Sequence, residues 1–137
     1  MKIPGLPALL FTALLFSTVF TSCGKYDDGP KFSLLTKKAR LSRDWQVYEY
    51  EDSDGTTVSV SNSSDYATFE KDGTYKATFD NVSYAGTWEF SSNKEDLLIT
   101  YNYGGFSLTT ASEIRRLTND ELWLKDEDNN FTRLKAK

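Results

Sequence analysis

Tyr75, Tyr84, Trp88 and Tyr101 stand at alternating positions of three successive apolar runs; Tyr103 ends the last of these, and Tyr48 occupies a similar place on an earlier run. Alternation at period two puts such side chains on one face of a sheet. Rings on an inner face supply an apolar wall, and their hydroxyls add a few polar points. That combination suits an amphipathic ligand, with its body against the rings and its head toward a phenol. Tyr75, Tyr84, Trp88 and Tyr101 are therefore the candidate pocket. The same residues could instead meet across the axis of a small β structure and fill it, since native interiors pack at a density of ~0.75. Both readings stay open at the level of sequence.

Other chemistry is bounded more firmly. The chain has no histidine, so no His triad, His general base or His-containing zinc site can be built. Its one cysteine allows neither an internal disulfide nor a thiolate metal cluster. Asp52 and Asp54 before Gly55 open like a calcium loop, but Ser63 stands where the loop needs glutamate. Asp126-Glu127-Asp128 has Phe131 in place of the required glycine. Both clusters read as hairpin turns. The remaining carboxylates fall mostly in turns, and no pair of them is placed to cleave a glycosidic bond. No catalytic residue, metal site or cofactor is assigned, and the expectation is a non-enzymatic protein. With 16 basic against 20 acidic side chains, the basic stripe that nucleic acid requires is missing.

The elements that position the aromatic residues are strands. Tyr66–Phe69 and Thr74–Phe79 flank Asp72-Gly73, a dipeptide that accepts positive φ at both central positions of a tight turn. Val82–Phe90 follows with the same period. Phe69, Tyr75, Phe79, Trp88 and Ile99 are expected to face inward. Gly104-Gly105 joins Leu97–Tyr103 to Phe106–Thr110 as a second hairpin. Trp45–Tyr50, Thr56–Ser61, Ile114–Leu117, Glu121–Lys125 and Phe131–Leu134 complete an all-β pattern of about 8–10 short strands, fit for an antiparallel barrel or sandwich. The one helical stretch is Phe32–Leu41, short and placed to close one end. Phe32, Leu35 and Ala39 share a face there, with Lys37, Lys38 and Arg40 mostly away from it. Those cations read as a solvated face or as a contact with anionic head groups.

Residues 1–22 belong to export, not to the fold. Lys2 supplies a positive start, and an apolar run from Leu9 to Phe20 is too short for a comfortable membrane span of ~20 residues. Phe20-Thr21-Ser22-Cys23-Gly24 follows, with the only cysteine directly after the run. This resembles the lipobox of bacterial lipoproteins, although Phe20 stands at the usual Leu. The resemblance implies cleavage before Cys23 and acylation of its thiol. The domains are then a signal peptide at 1–22, the acylated cysteine and a tether at 23–31, and a β-barrel domain at 32–137. The implied location is the cell envelope, anchored by lipid to the outer membrane on its periplasmic or surface face.

From about Leu34 to Leu134 the layout resembles the small lipocalin-like lipoproteins of Gram-negative bacteria. A short helix precedes a strand opening on Trp45, and Asp72-Gly73-Thr74, Gly86-Thr87-Trp88 and the run Leu117 to Leu124 match further on. The resemblance implies an up-and-down antiparallel barrel and a tethered binding module for a small apolar or amphipathic molecule. The alternative is a solid barrel with a structural or protein-interaction role. Arg43 replaces the family's usual glycine two residues before the tryptophan, and the usual Thr-Asp-Tyr signature is missing. The resemblance implies that Arg133 is the counterpart of the arginine that packs over that tryptophan at the closed end; the other reading is a solvent-facing Arg133.

Overall fold

One five-residue helix, α1 (Lys37–Leu41), leads into nine strands: β1 (Asp44–Glu51), β2 (Thr57–Ser59), β3 (Tyr66–Phe69), β4 (Thr74–Phe79), β5 (Val82–Phe90), β6 (Asp96–Tyr103), β7 (Phe106–Leu117), β8 (Glu121–Lys125) and β9 (Phe131–Ala136). This computed structural model describes residues 34–137, Tyr103 by its backbone alone. The expected signal peptide and tether, with Cys23 and Phe32, lie outside the described residues.

From β3 to β9 each strand pairs antiparallel with the next, and β9 returns to pair with β1. The start of β1 pairs with β3, through Asp44–Thr68, Trp45–Ala67 and Gln46–Tyr66. Eight strands thus close into a barrel, which leaves no sheet edge around most of its girth. Strand β2 is extra: it takes the far end of the same β1 edge, through Glu49–Ser59 to Glu51–Thr57.

The interior follows from period two, corrected by two bulges. Trp45 and Val47 point inward, but the β1–β9 register skips Tyr48. Tyr48 and Glu49 therefore both face out, and Tyr50 turns in beside Thr132. Arg115 does the same on β7, between inward Ile114 and outward Arg116. The core gathers Leu41, Trp45, Phe69, Leu97, Ile114, Leu117, Leu122 and Leu134, all essentially inaccessible. Phe69, Tyr75, Trp88 and Ile99 face inward as the alternation requires, and Phe79 is partly buried against them. Gly86 is needed where β5 crosses β6. A Cβ there would sit 2.0 Å from the Thr100 carbonyl oxygen.

Three expectations change. The helix is shorter than Phe32–Leu41, because the Thr36 hydroxyl caps it by accepting from the Ala39 amide at 3.1 Å. Leu35 is exposed ahead of the cap, and Arg40 is buried. Its guanidinium donates to the carbonyls of Leu117 (3.1 Å) and Leu35 (2.8 Å), closing this end of the barrel together with Leu41, which accepts from Trp45 Nε1 at 2.9 Å. At Asp72-Gly73 only Gly73 has positive φ. The Gly73 amide donates to Glu70 O and the Glu70 amide to Thr74 O, so the loop is a four-residue turn ending on a left-handed glycine. Asp72 instead accepts from the Thr74 amide at 2.8 Å, which holds its carboxyl below the usual range. Gly104 and Gly105 do both adopt positive φ. Finally, Phe106–Thr110 and Ile114–Leu117 are one strand, because Ala111–Glu113 pair with Asp96–Leu98.

Candidate ligand cavity

At the end opposite α1, the barrel holds a cavity of about 300 Å³, open on one side. Its deep wall is Ala67, Phe69, Ile99 and Leu134; its outer wall is Phe79, Tyr84, Tyr101, Leu124, Thr110, Ser112 and Thr132, with Asp126 at the mouth. The opening has a topological cause. Pairing of β7 with β8 begins only at Glu113–Lys125, so the β6–β7 hairpin from Phe106 to Ser112 overhangs the barrel without a neighbour on its β8 side. Phe106 is 80% and Leu108 52% exposed on that overhang.

Tyr75 is the most enclosed polar residue of the wall, 5% exposed. Its ring packs on Phe69 at 5.2 Å, and no described residue donates to or accepts from its hydroxyl. Burial pushes its pKa above the ordinary tyrosine value, and the nearby Tyr101 and Tyr84 phenols push the same way. The group is thus a neutral donor near pH 7. Tyr84 and Tyr101 meet edge to face at 5.7 Å, and Phe79 lies 6.3 Å from Tyr84.

Of the four residues singled out from sequence, Tyr75, Tyr84 and Tyr101 come together on this wall and Trp88 does not. Trp88 sits nearer the closed end, edge-on to Phe69 (5.8 Å) and Phe90 (5.4 Å), with Nε1 donating to Glu70 O at 2.9 Å. Inward orientation was enough to select it, but depth along the barrel needs the strand register. Tyr48 lies outside, its hydroxyl donating to Glu121 (3.3 Å) and accepting from Trp123 Nε1 (3.1 Å). The Tyr103 side chain lies outside the described residues.

Arg133 does not pack over Trp45. It lies 4.7 Å from the Trp123 ring on the outer surface and pairs with Glu49 and Glu51. Arg116 stands 5.0 Å from that ring. The guanidinium near Trp45 belongs to Arg43, at 5.7 Å, which also donates to the Asn119 carbonyl. The residue that replaces the expected glycine thus supplies the cation–π contact.

Sequence reasoning missed Phe69 and Phe79 as cavity walls, and it missed Asp65. This carboxylate, 9% exposed, accepts from the Tyr50 hydroxyl at 2.7 Å and the Asp80 amide at 3.0 Å. Burial, then the Asp65 hydrogen bond, raises the Tyr50 pKa. The pair ties β1 to the segment before β3 and to the β4–β5 turn. Only the polar loop setting of Asp65 was visible in sequence, and nothing local marks its burial. The two acidic clusters are turns. Asp54 accepts from Thr56, and Asp126 accepts from the Asp128 and Asn130 amides and from Asn130 Nδ2.

No family model and no curated protein matches the sequence. Solved structures do match the fold. A lipocalin-like protein from Bacteroides uniformis superposes with a TM-score of 0.57 at 17% identity, over 72% of this chain and 99% of its own. A protein of the DUF4847 family from Bacteroides vulgatus gives 0.52 at 12% identity, over 74% and 96%. At such identities the likeness is one of architecture. The chain folds as a lipocalin-like barrel, closed by eight strands and carrying one more.

Proposed function

We propose that the chain is a non-enzymatic binding module that holds a small apolar or amphipathic molecule in the barrel cavity, tethered to a cell-envelope membrane through acylated Cys23. The observation that carries the binding reading is Tyr75: an enclosed ring whose hydroxyl has no protein partner among the described residues and faces a cavity with aromatic walls. A ligand that displaced water from this hydroxyl without accepting its proton would strand a donor at a cost of about 1–3 kcal/mol, and a ligand oxygen avoids that cost. A cavity of about 300 Å³ lies at the small end of ligand sites, with room for on the order of ten heavy atoms at ~30 Å³ each. What supports the tether is the sequence from Leu9 to Cys23, and an outer-membrane location is part of the same proposal. The other reading, a role in protein contacts, draws on the exposed Phe106 and Leu108 of the overhanging hairpin.

Binding is tested on the full chain in mild detergent, titrated with the neutral probe N-phenyl-1-naphthylamine. Saturable one-to-one binding is expected. Thr110→Trp, at an exposed position of the mouth, should block it with the near-UV spectrum of the fold intact. Probe uptake no different from that of detergent alone would sink the proposal and favour the protein-contact role.

A further inference from the structure

Resting on the cavity reading above, we infer that the ligand joins an apolar body to an uncharged oxygen acceptor, a carbonyl or hydroxyl, and that the phenols of Tyr75, Tyr84 and Tyr101 read that oxygen.

The three side chains come from adjacent strands, β4, β5 and β6. The register sets Tyr75 opposite Gly86 and Gly86 opposite Tyr101, with Tyr84 the next inward residue along β5. Gly86 carries no side chain between the two outer rings of that row. None of the three hydroxyls has a hydrogen-bond partner among the described residues. None of the three is a sealed, unsatisfied atom, so each is left to water or to a ligand oxygen, and a purely apolar ligand filling the space would strand them. A phenol has one proton to give, so any two of the three would fill both lone pairs of one ligand oxygen, and the third stays available to water.

Charge narrows the class. The lining contains no lysine or arginine, and the chain contains no histidine. A carboxylate or phosphate in this cavity would be desolvated without a cation to compensate. The one ionisable acid at the mouth, Asp126, adds like charge. For a cationic head it is a weakened counter-ion, because three hydrogen bonds from the turn that follows it already engage its oxygens. A neutral acceptor gains the phenol hydrogen bonds and carries neither penalty.

The test uses the full chain in detergent and a matched ten-carbon set: 2-decanone, decane, decanoate and decylammonium. Free concentrations are corrected by micelle partition coefficients measured without protein. The expected order puts 2-decanone first, roughly three- to ten-fold tighter than decane and at least ten-fold tighter than either ion. Tyr75→Phe keeps the ring and removes the donor, so it should erase the advantage of 2-decanone over decane. Equal binding of ketone and hydrocarbon, or tighter binding of either ion, would overturn this inference and leave the cavity as an apolar site. The same holds if Tyr75→Phe keeps the ketone advantage. Failure of all four probes to bind would sink the binding module itself.

Discussion

Tyr75 carries a prediction that needs no ligand. Its folded pKa lies above the ordinary tyrosine value of ~10, first through burial and then through the neighbouring phenols. In the unfolded chain the same hydroxyl titrates near ~10. Below that pH both states hold the proton, and the stability due to this group is constant. Above it the unfolded state loses the proton while the folded state keeps it, so stability falls as pH rises. Tyr75→Phe removes the term. Urea unfolding of wild type and variant should therefore give a constant difference from pH 7 to 9, and above pH 10 the variant should gain on the wild type. Parallel curves through pH 11 would show that the phenol is not enclosed. Tyr50, raised by burial and by Asp65, should behave likewise. The arginines show how residue-scale inference can fail. A family position pointed to Arg133, but the bulge at Tyr48 brings Glu49 and Glu51 together on the outer face, where Arg133 pairs with both.

The closed end is held at the scale of elements by one buried cation. Arg40 reaches from a five-residue helix to the last residue of β7, giving the Leu117 carbonyl a partner while Leu41 packs on Trp45. So short a helix has no stability of its own, and tertiary contacts must hold it in place. Arg40→Met keeps the apolar stem and leaves the Leu117 carbonyl short of a donor. A loss of about 1–3 kcal/mol is expected in urea unfolding, with faster amide exchange at Trp45 and Leu117. An unchanged midpoint would mean that the helix is not a working plug. The strands themselves were legible from alternation and glycine: Gly104-Gly105 forms the expected two-residue turn, and β4, β5 and β6 run where the pattern put them. The misses share a physical cause. Period two names a face but not a depth, so Trp88 and Tyr101 looked equivalent although one lies toward the plug and the other lines the cavity. Bulges add a residue without any local signature, so Tyr48 seemed to face inward. The burial of Arg40 and Asp65 depends on partners up to 77 residues away in sequence, which no local window contains.

On the scale of the whole molecule, the two ends of the barrel differ in kind. One is plugged by α1, Arg40 and Trp45; the other opens onto the cavity beneath the Phe106–Ser112 overhang. The described chain begins at Leu34, immediately before the plug. If Cys23 is the acylated residue, the anchor joins the plugged end, and the tether between them is at most about ten residues, or ~35 Å when fully extended. A tether that short favours a barrel with its plugged end toward the bilayer and its mouth toward the aqueous phase. The ligand would then reach the cavity from solution or from another protein, not laterally from the membrane that holds the barrel. Exposed Phe106 and Leu108 at the mouth would otherwise be natural candidates to dip into lipid, so the two orientations are opposed and separable. With Cys23 occupied by acyl chains, a cysteine placed at Leu108 or at Lys71, near the plugged end, is the single free thiol. Each variant, labelled with a fluorophore and reconstituted through its own anchor, is exposed to lipid-borne and then to aqueous quenchers. The label at position 71 should be quenched more strongly by the lipid-borne quencher, and the label at 108 by iodide. The reverse order would place the mouth on the bilayer and make the membrane itself the source of the ligand. Loss of membrane attachment in Cys23→Ser would support the anchor, and intact mass showing an unmodified Cys23 in membrane-derived protein would remove the premise.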